Sequence, residues 1–201
     1  SKPGVQEKIN ASIQSNVYNQ IAGFRDANAT NLALGDPQMR SAFEAQFDTS
    51  LVTPSFFSAI MLYSDYSAGA AHPNSYNVSL NYDLKTGESV TLDKFLQSLK
   101  PSAGYMDRLG KYVRDDLIRQ LGDDQNIIAA IDLGGKPSAE SYANFTLDGS
   151  GLSIHFDPYQ VAPYAAGSPA VEISYADLMS VVIKSADASA SATSSAKWWL
   201  Q

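Results

Sequence analysis

Cysteine is absent from the 201 residues, which excludes disulfide staples, thiolate zinc sites and cysteine nucleophiles together. Histidine is almost as scarce, with His72 and His155 the two present. A hydrolase built on a serine–histidine pair must therefore take one of these rings as its base. Basic residues are outnumbered, 14 Lys+Arg against 21 Asp+Glu, for a net charge of −7. A nucleic acid would meet net repulsion instead of a counterion-releasing face, and none is expected as a partner. No apolar run reaches about eighteen residues, so no transmembrane segment is expected in this chain. HExxH, HxH and DxDxDG motifs are missing, as are the Walker spacing and GxGxxG, so no metal and no cofactor are expected. The first residues, Ser1-Lys2-Pro3-Gly4, show neither an initiator Met nor the apolar stretch of a signal peptide. Either a leader has been removed or the chain starts inside a longer protein.

What is present is a foldable sequence, with 44% hydrophobic and 17% charged residues. Val5, Ile9, Ile13, Val17, Ile21 and Phe24 form an i, i+4 stripe that predicts one long amphipathic helix ending before Asp26–Asn31. A turn at Asp36-Pro37 and a strand from about Phe43 follow. Phe56–Tyr66 reads as a central strand. Tyr76, Val78, Leu80 and Tyr82 alternate with Asn77, Ser79 and Asn81, which predicts a half-buried strand with those polar residues on its wet face. A short helix at Lys94–Leu99 and a longer one opened by Pro101-Ser102 come next, and Asp123–Ala130 reads as a last helical turn or two before a Gly134–Pro137 loop. Asp148-Gly149-Ser150-Gly151 joins Tyr142–Leu147 and Leu152–Phe156 as a hairpin. Ala170–Ser174 closes as a strand and Tyr175–Ile183 as a helix. The expected fold is α+β: one domain over residues 1–184, an antiparallel sheet with helices packed on one face. Residues 185–201, an Ala/Ser-rich stretch ending in Trp198-Trp199, are expected to be a flexible tail.

Two segments draw attention as a surface. Gly69-Ala70-Ala71-His72-Pro73 gives the His72 ring a defined direction, because the residue before proline is held extended. His72 serves either to hold this loop or as an acid/base with Asp65, Asp83 or Asp157 in a cell-wall glycan or peptide hydrolase. His155 lies on the more polar side of its strand, away from Leu152, Ile154 and Phe156, and no G-x-S-x-G elbow accompanies it. Asp157–Gly167 packs Tyr159, Tyr164, Pro158 and Pro163 into a stiff segment that either caps a core edge or presents amphipathic rings.

The stretches SAGAAHPNSYNVSLNYDLKTGESVTL (67–92) and FDPYQVAPYAAGSPAVEISYADL (156–178) resemble the bacterial envelope family whose C-terminal part is called DUF3298. Its members include the lysozyme-sensing domain of the anti-sigma factor RsiV and the accessory domain of the deacetylase PdaC. The resemblance implies an extracytoplasmic location, periplasmic, secreted or lipid-anchored. It also implies a non-catalytic binding or sensing module that takes a lysozyme-like protein or peptidoglycan, or else a structural lipoprotein domain. Ala70 stands where a second glycine is usual and Ser174 where proline is usual. The expected binding residues are Gly69, His72, Pro73, Tyr159, Pro163, Tyr164 and Gly167. The family usually has a strand ahead of its first helix, and this chain starts almost at the helix: either that strand is shorter here or it has been lost, and a lost edge strand would favour self-association through the unpaired edge.

Overall fold

The computed structural model describes residues 3–29 and 40–183. The expected turn at Asp36-Pro37 and the expected tail from 185 onward lie outside these residues. The stripe of Val5, Ile9, Ile13 and Val17 forms one face of a 25-residue helix, α1 (Pro3–Ala27), packed on a first antiparallel sheet. That sheet is a meander in the order β1 (Ala42–Val52), β2 (Phe56–Tyr66), β3 (Asn74–Asp83). Ile9, Ala59, Met61, Tyr63, Leu80 and Tyr82 are buried between helix and sheet.

The second half folds around its own sheet, ordered β4 (Phe145–Leu147), β5 (Gly151–His155), β6 (Ala170–Ser174). Four helices accompany it: α2 (Leu92–Ser98), α3 (Tyr105–Leu121), α4 (Gln125–Gly134) and α5 (Tyr175–Val182). Thr91 starts α2 by accepting the Lys94 N–H, and Ser174 starts α5 by accepting from Asp177. Leu109, Val113 and Leu117 are fully buried at i, i+4 spacing on α3. Each contributes roughly 1.5–3 kcal/mol relative to an exposed side chain.

The class is α+β and antiparallel, as the pattern implies, but the strands form two sheets instead of one. Asp123–Ala130 proves to be the front of a separate helix, because Asp124 accepts the Asn126 N–H and α4 then runs on to Gly134. The larger correction concerns β3. Asn77 and Asn81 are buried, not wet, because β4 docks on that face of the first sheet. Buried Ser58 donates to Asn81 Oδ1 (2.7 Å) and accepts the Leu147 N–H (2.9 Å), while Asn81 Nδ2 donates to the Phe145 carbonyl (2.8 Å). A polar face is buried without penalty because its side chains satisfy the backbone of an edge strand that has no neighbour on that side.

Candidate functional site

Each of the two loops is tied down at its base. Positive φ at Gly69 (+87°) allows the turn in which the Ala70 N–H reaches the Ser67 carbonyl. The Ala68 N–H donates to Ser41 Oγ, which donates to the side chain of buried Asn28 just beyond α1. The second loop is anchored from inside. Val161 and Ala162 are buried, and Gln160 Nε2 donates to the carbonyls of Gly134 and Ser141. Gly134 is required there, since a Cβ would overlap the Gln160 carbonyl oxygen. Asp157 ties the loop to the first sheet by accepting both the backbone and the side-chain N–H of Asn77, at 2.7 and 2.9 Å. Burial raises the Asp157 carboxyl above its ordinary pKa, and the two Asn77 donors oppose that.

On these anchors the tips meet. The His72 ring stacks on Tyr164 with centroids 4.0 Å apart, and Tyr159 and Tyr164 lie 5.5 Å apart. His72 Nδ1 is 2.8 Å from the Pro73 carbonyl and Nε2 is 3.1 Å from the Tyr159 hydroxyl. A carbonyl can only accept, so Nδ1 carries a proton, and in the neutral ring Nε2 is then left to accept from Tyr159. The Tyr164 hydroxyl donates to the same Pro73 carbonyl. Pro163 opens the short 3-10 turn Tyr164–Ala166, and Gly167, with φ of +72°, ends it. Tyr159 holds φ at +69°, a left-handed conformation that costs a non-glycine residue roughly 1–2 kcal/mol. The residue is nonetheless 63% exposed.

All seven expected binding residues therefore belong to two loops that converge, with His72, Pro73, Tyr159 and Tyr164 in direct contact. The three carboxylates considered as partners for His72 are engaged elsewhere. Asp65 accepts from Asn74, Asp83 accepts the Lys85 and Thr86 N–H groups, and Asp157 serves Asn77. His155, half-buried on β5, is 2.8 Å from Thr146 Oγ1, and burial lowers its pKa. Among the described residues no group of three or more His, Asp or Glu could hold a metal ion, and no helix is long and apolar enough to cross a membrane. Asn28, Asn77 and Gln160, which set the loops in place, escape sequence reasoning. Each is a polar residue whose partner lies far along the chain.

Residues 99–176 match the family described as Protein of unknown function (DUF3298). The match takes in most of the 156–178 signature and leaves 67–92 outside it. No curated protein matches the chain. Among solved structures, a DUF3298 family member from Bacteroides fragilis superposes with a TM-score of 0.58 at 18% identity, over 93% of this chain and 72% of its own. A DUF3298 family protein from Pseudomonas aeruginosa gives a TM-score of 0.48 at 14% identity, over 72% of this chain and 63% of its own. The first similarity is one of fold.

Proposed function

We propose that this chain, which carries a DUF3298 match over residues 99–176, is a non-catalytic extracytoplasmic binding module of a bacterial cell envelope, and that His72, Tyr159 and Tyr164 form its binding surface. The observation that carries the reading is the exposed, strained Tyr159 ring beside the His72/Tyr164 stack, on loops whose bases are locked into the core. Rigid aromatic groups with polar tips give contact area at low entropic cost, which suits recognition. The engagement of both His72 nitrogens, without a carboxylate among their partners, supports binding over hydrolysis.

A basic, lysozyme-like protein is the ligand that best fits the charge. At −7 the chain attracts it at a distance, and the rings supply the contact. Peptidoglycan is the second ligand the resemblance implies. Calorimetry against hen lysozyme and against soluble peptidoglycan fragments, at two salt concentrations, tests both. Salt-sensitive lysozyme binding, weakened at least tenfold by Tyr159→Ala, is the expected result. Binding of glycan fragments alone would replace the ligand and keep the module. Binding of neither would remove the proposal.

A further inference from the structure

A strand residue points its N–H and C=O to the same side, so the outward edge of β3 can be followed group by group. Asn77, Ser79, Asn81 and Asp83 face that edge. The Asn77 N–H goes to Asp157 Oδ1 and the Ser79 N–H to Asn144 Oδ1, at 2.7 and 3.1 Å. Further along, the segment 88–90 runs antiparallel to the strand. The Asp83 N–H donates to the Glu88 carbonyl, the Val90 N–H donates to the Asn81 carbonyl, and Ser89 sits opposite Tyr82. Continued by one step, this register sets Thr91 opposite Leu80. Thr91 instead caps α2 by accepting the Lys94 N–H, and the chain turns away from the sheet.

The departure leaves two backbone groups open between Asn144 and Val90. Neither the Asn81 N–H nor the Ser79 carbonyl has a hydrogen-bond partner among the described residues. Asn81 is 4% exposed, and a buried N–H without an acceptor is rare in folded proteins. Both residues border a cavity of about 300 Å³, whose other walls include Val90, Leu92, Ala139, Ala143 and Phe145. That volume lies at the lower end of the range for ligand sites.

We propose that this cavity binds a short extended peptide with small side chains, laid antiparallel beside β3. A ligand residue opposite Leu80 brings the carbonyl before it to the Asn81 N–H, and the N–H after it to the Ser79 carbonyl. The bonds that flank Ser89 opposite Tyr82 follow the same pattern. Opposed residues share one face of a sheet and their neighbours take the other. The ligand side chains on either side of the central one therefore turn to the face of Asn81, where the Phe145 and Ala143 carbonyls accept from Asn81 Nδ2 and Ser79 Oγ. The limited volume there favours side chains of alanine size. None of the seven loop residues of the proposed binding surface lines this cavity, so the two sites stand or fall separately.

The probe is N-acetyl-trialanine N-methylamide, which carries neither charge nor sugar, titrated into the isotope-labelled chain and followed by amide NMR. The Asn81 amide is expected to move downfield, and its exchange with water to slow at least tenfold at saturation. An analogue with ester oxygens in place of its backbone N–H groups offers the Ser79 carbonyl no donor and is expected to bind at least tenfold more weakly. Ala143→Trp, which fills the cavity from its exposed rim, should abolish binding, and Ala139→Trp serves where the former misfolds. An Asn81 amide unmoved by the probe to about 5 mM, its N–H held by water alone, would overturn the proposal. So would equal affinity for the amide and ester probes, or binding that survives the tryptophan variants.

Discussion

Ser58→Ala isolates the joint between the two sheets. The hydroxyl is fully buried, gives its proton to Asn81 Oδ1 and receives the Leu147 N–H. Its removal orphans one buried acceptor and one buried donor at the same time. At about 1–3 kcal/mol for each unsatisfied group, the expected loss is about 2–6 kcal/mol, a large part of an ordinary domain's stability. For a chain of this size that corresponds to a fall of roughly 4–24 °C in Tm. Urea unfolding followed by circular dichroism measures it, with the slope expected to stay constant while the midpoint moves. The double variant Ser58→Ala/Asn81→Ala should lose less than the sum of the two single changes, because the atom each change leaves unpaired on the other residue, Asn81 Oδ1 or the Ser58 hydroxyl, is absent when both are replaced. A loss below about 0.5 kcal/mol for Ser58→Ala, or strict additivity in the cycle, would refute the assignment of this hydroxyl as the link between sheets.

The remaining expectations concern the loops and β5. Tyr159→Gly should raise stability by about 1 kcal/mol in thermal unfolding, by relieving the left-handed backbone, while weakening lysozyme binding at least tenfold. Gly134→Ala should drive the Gln160 carbonyl outward, lowering Tm and weakening binding together even though residue 134 lies beneath the rings and not among them. His155 is held neutral by burial, with its folded pKa below the unfolded value near 6.5. Its contribution to stability is therefore complete above about pH 6.5 and is lost as pH falls through the lowered folded value. His155→Gln should flatten that part of the stability profile, as read by denaturant midpoints from pH 7.5 to 5.

Most elements were legible because apolar spacing alone demanded them. The i, i+4 stripe of α1, the dense run of β2 and the Asp148–Gly151 turn all appear where the pattern puts them. The polar positions of β3 were misread for a physical reason. Alternation distinguishes two faces but not water from a second polar surface, and Asn77 and Asn81 face the latter. The same limit applies to the candidate site. Glycine, proline and tyrosine content singled out both loops, and the residue before Pro73 fixed the His72 direction. Nothing local could show that His72 and Tyr159, 87 residues apart, share a hydrogen bond. The anchors Asn28 and Gln160 look like any surface amide until their partners are known.

The loop from 157 to 167 divides its labour along its length. Val161, Ala162 and the Gln160 amide belong to the interior, whereas Tyr159, Pro163 and the turn up to Gly167 face outward. Exchanges at the outward positions, the left-handed Tyr159 and Gly167 apart, therefore disturb the folding equilibrium little, while exchanges at the inward ones reach it at once. On the proposed reading, a binding loop so arranged changes its outer surface by single steps without passing through an unfolded variant, and the shape of the interior places few demands on that surface.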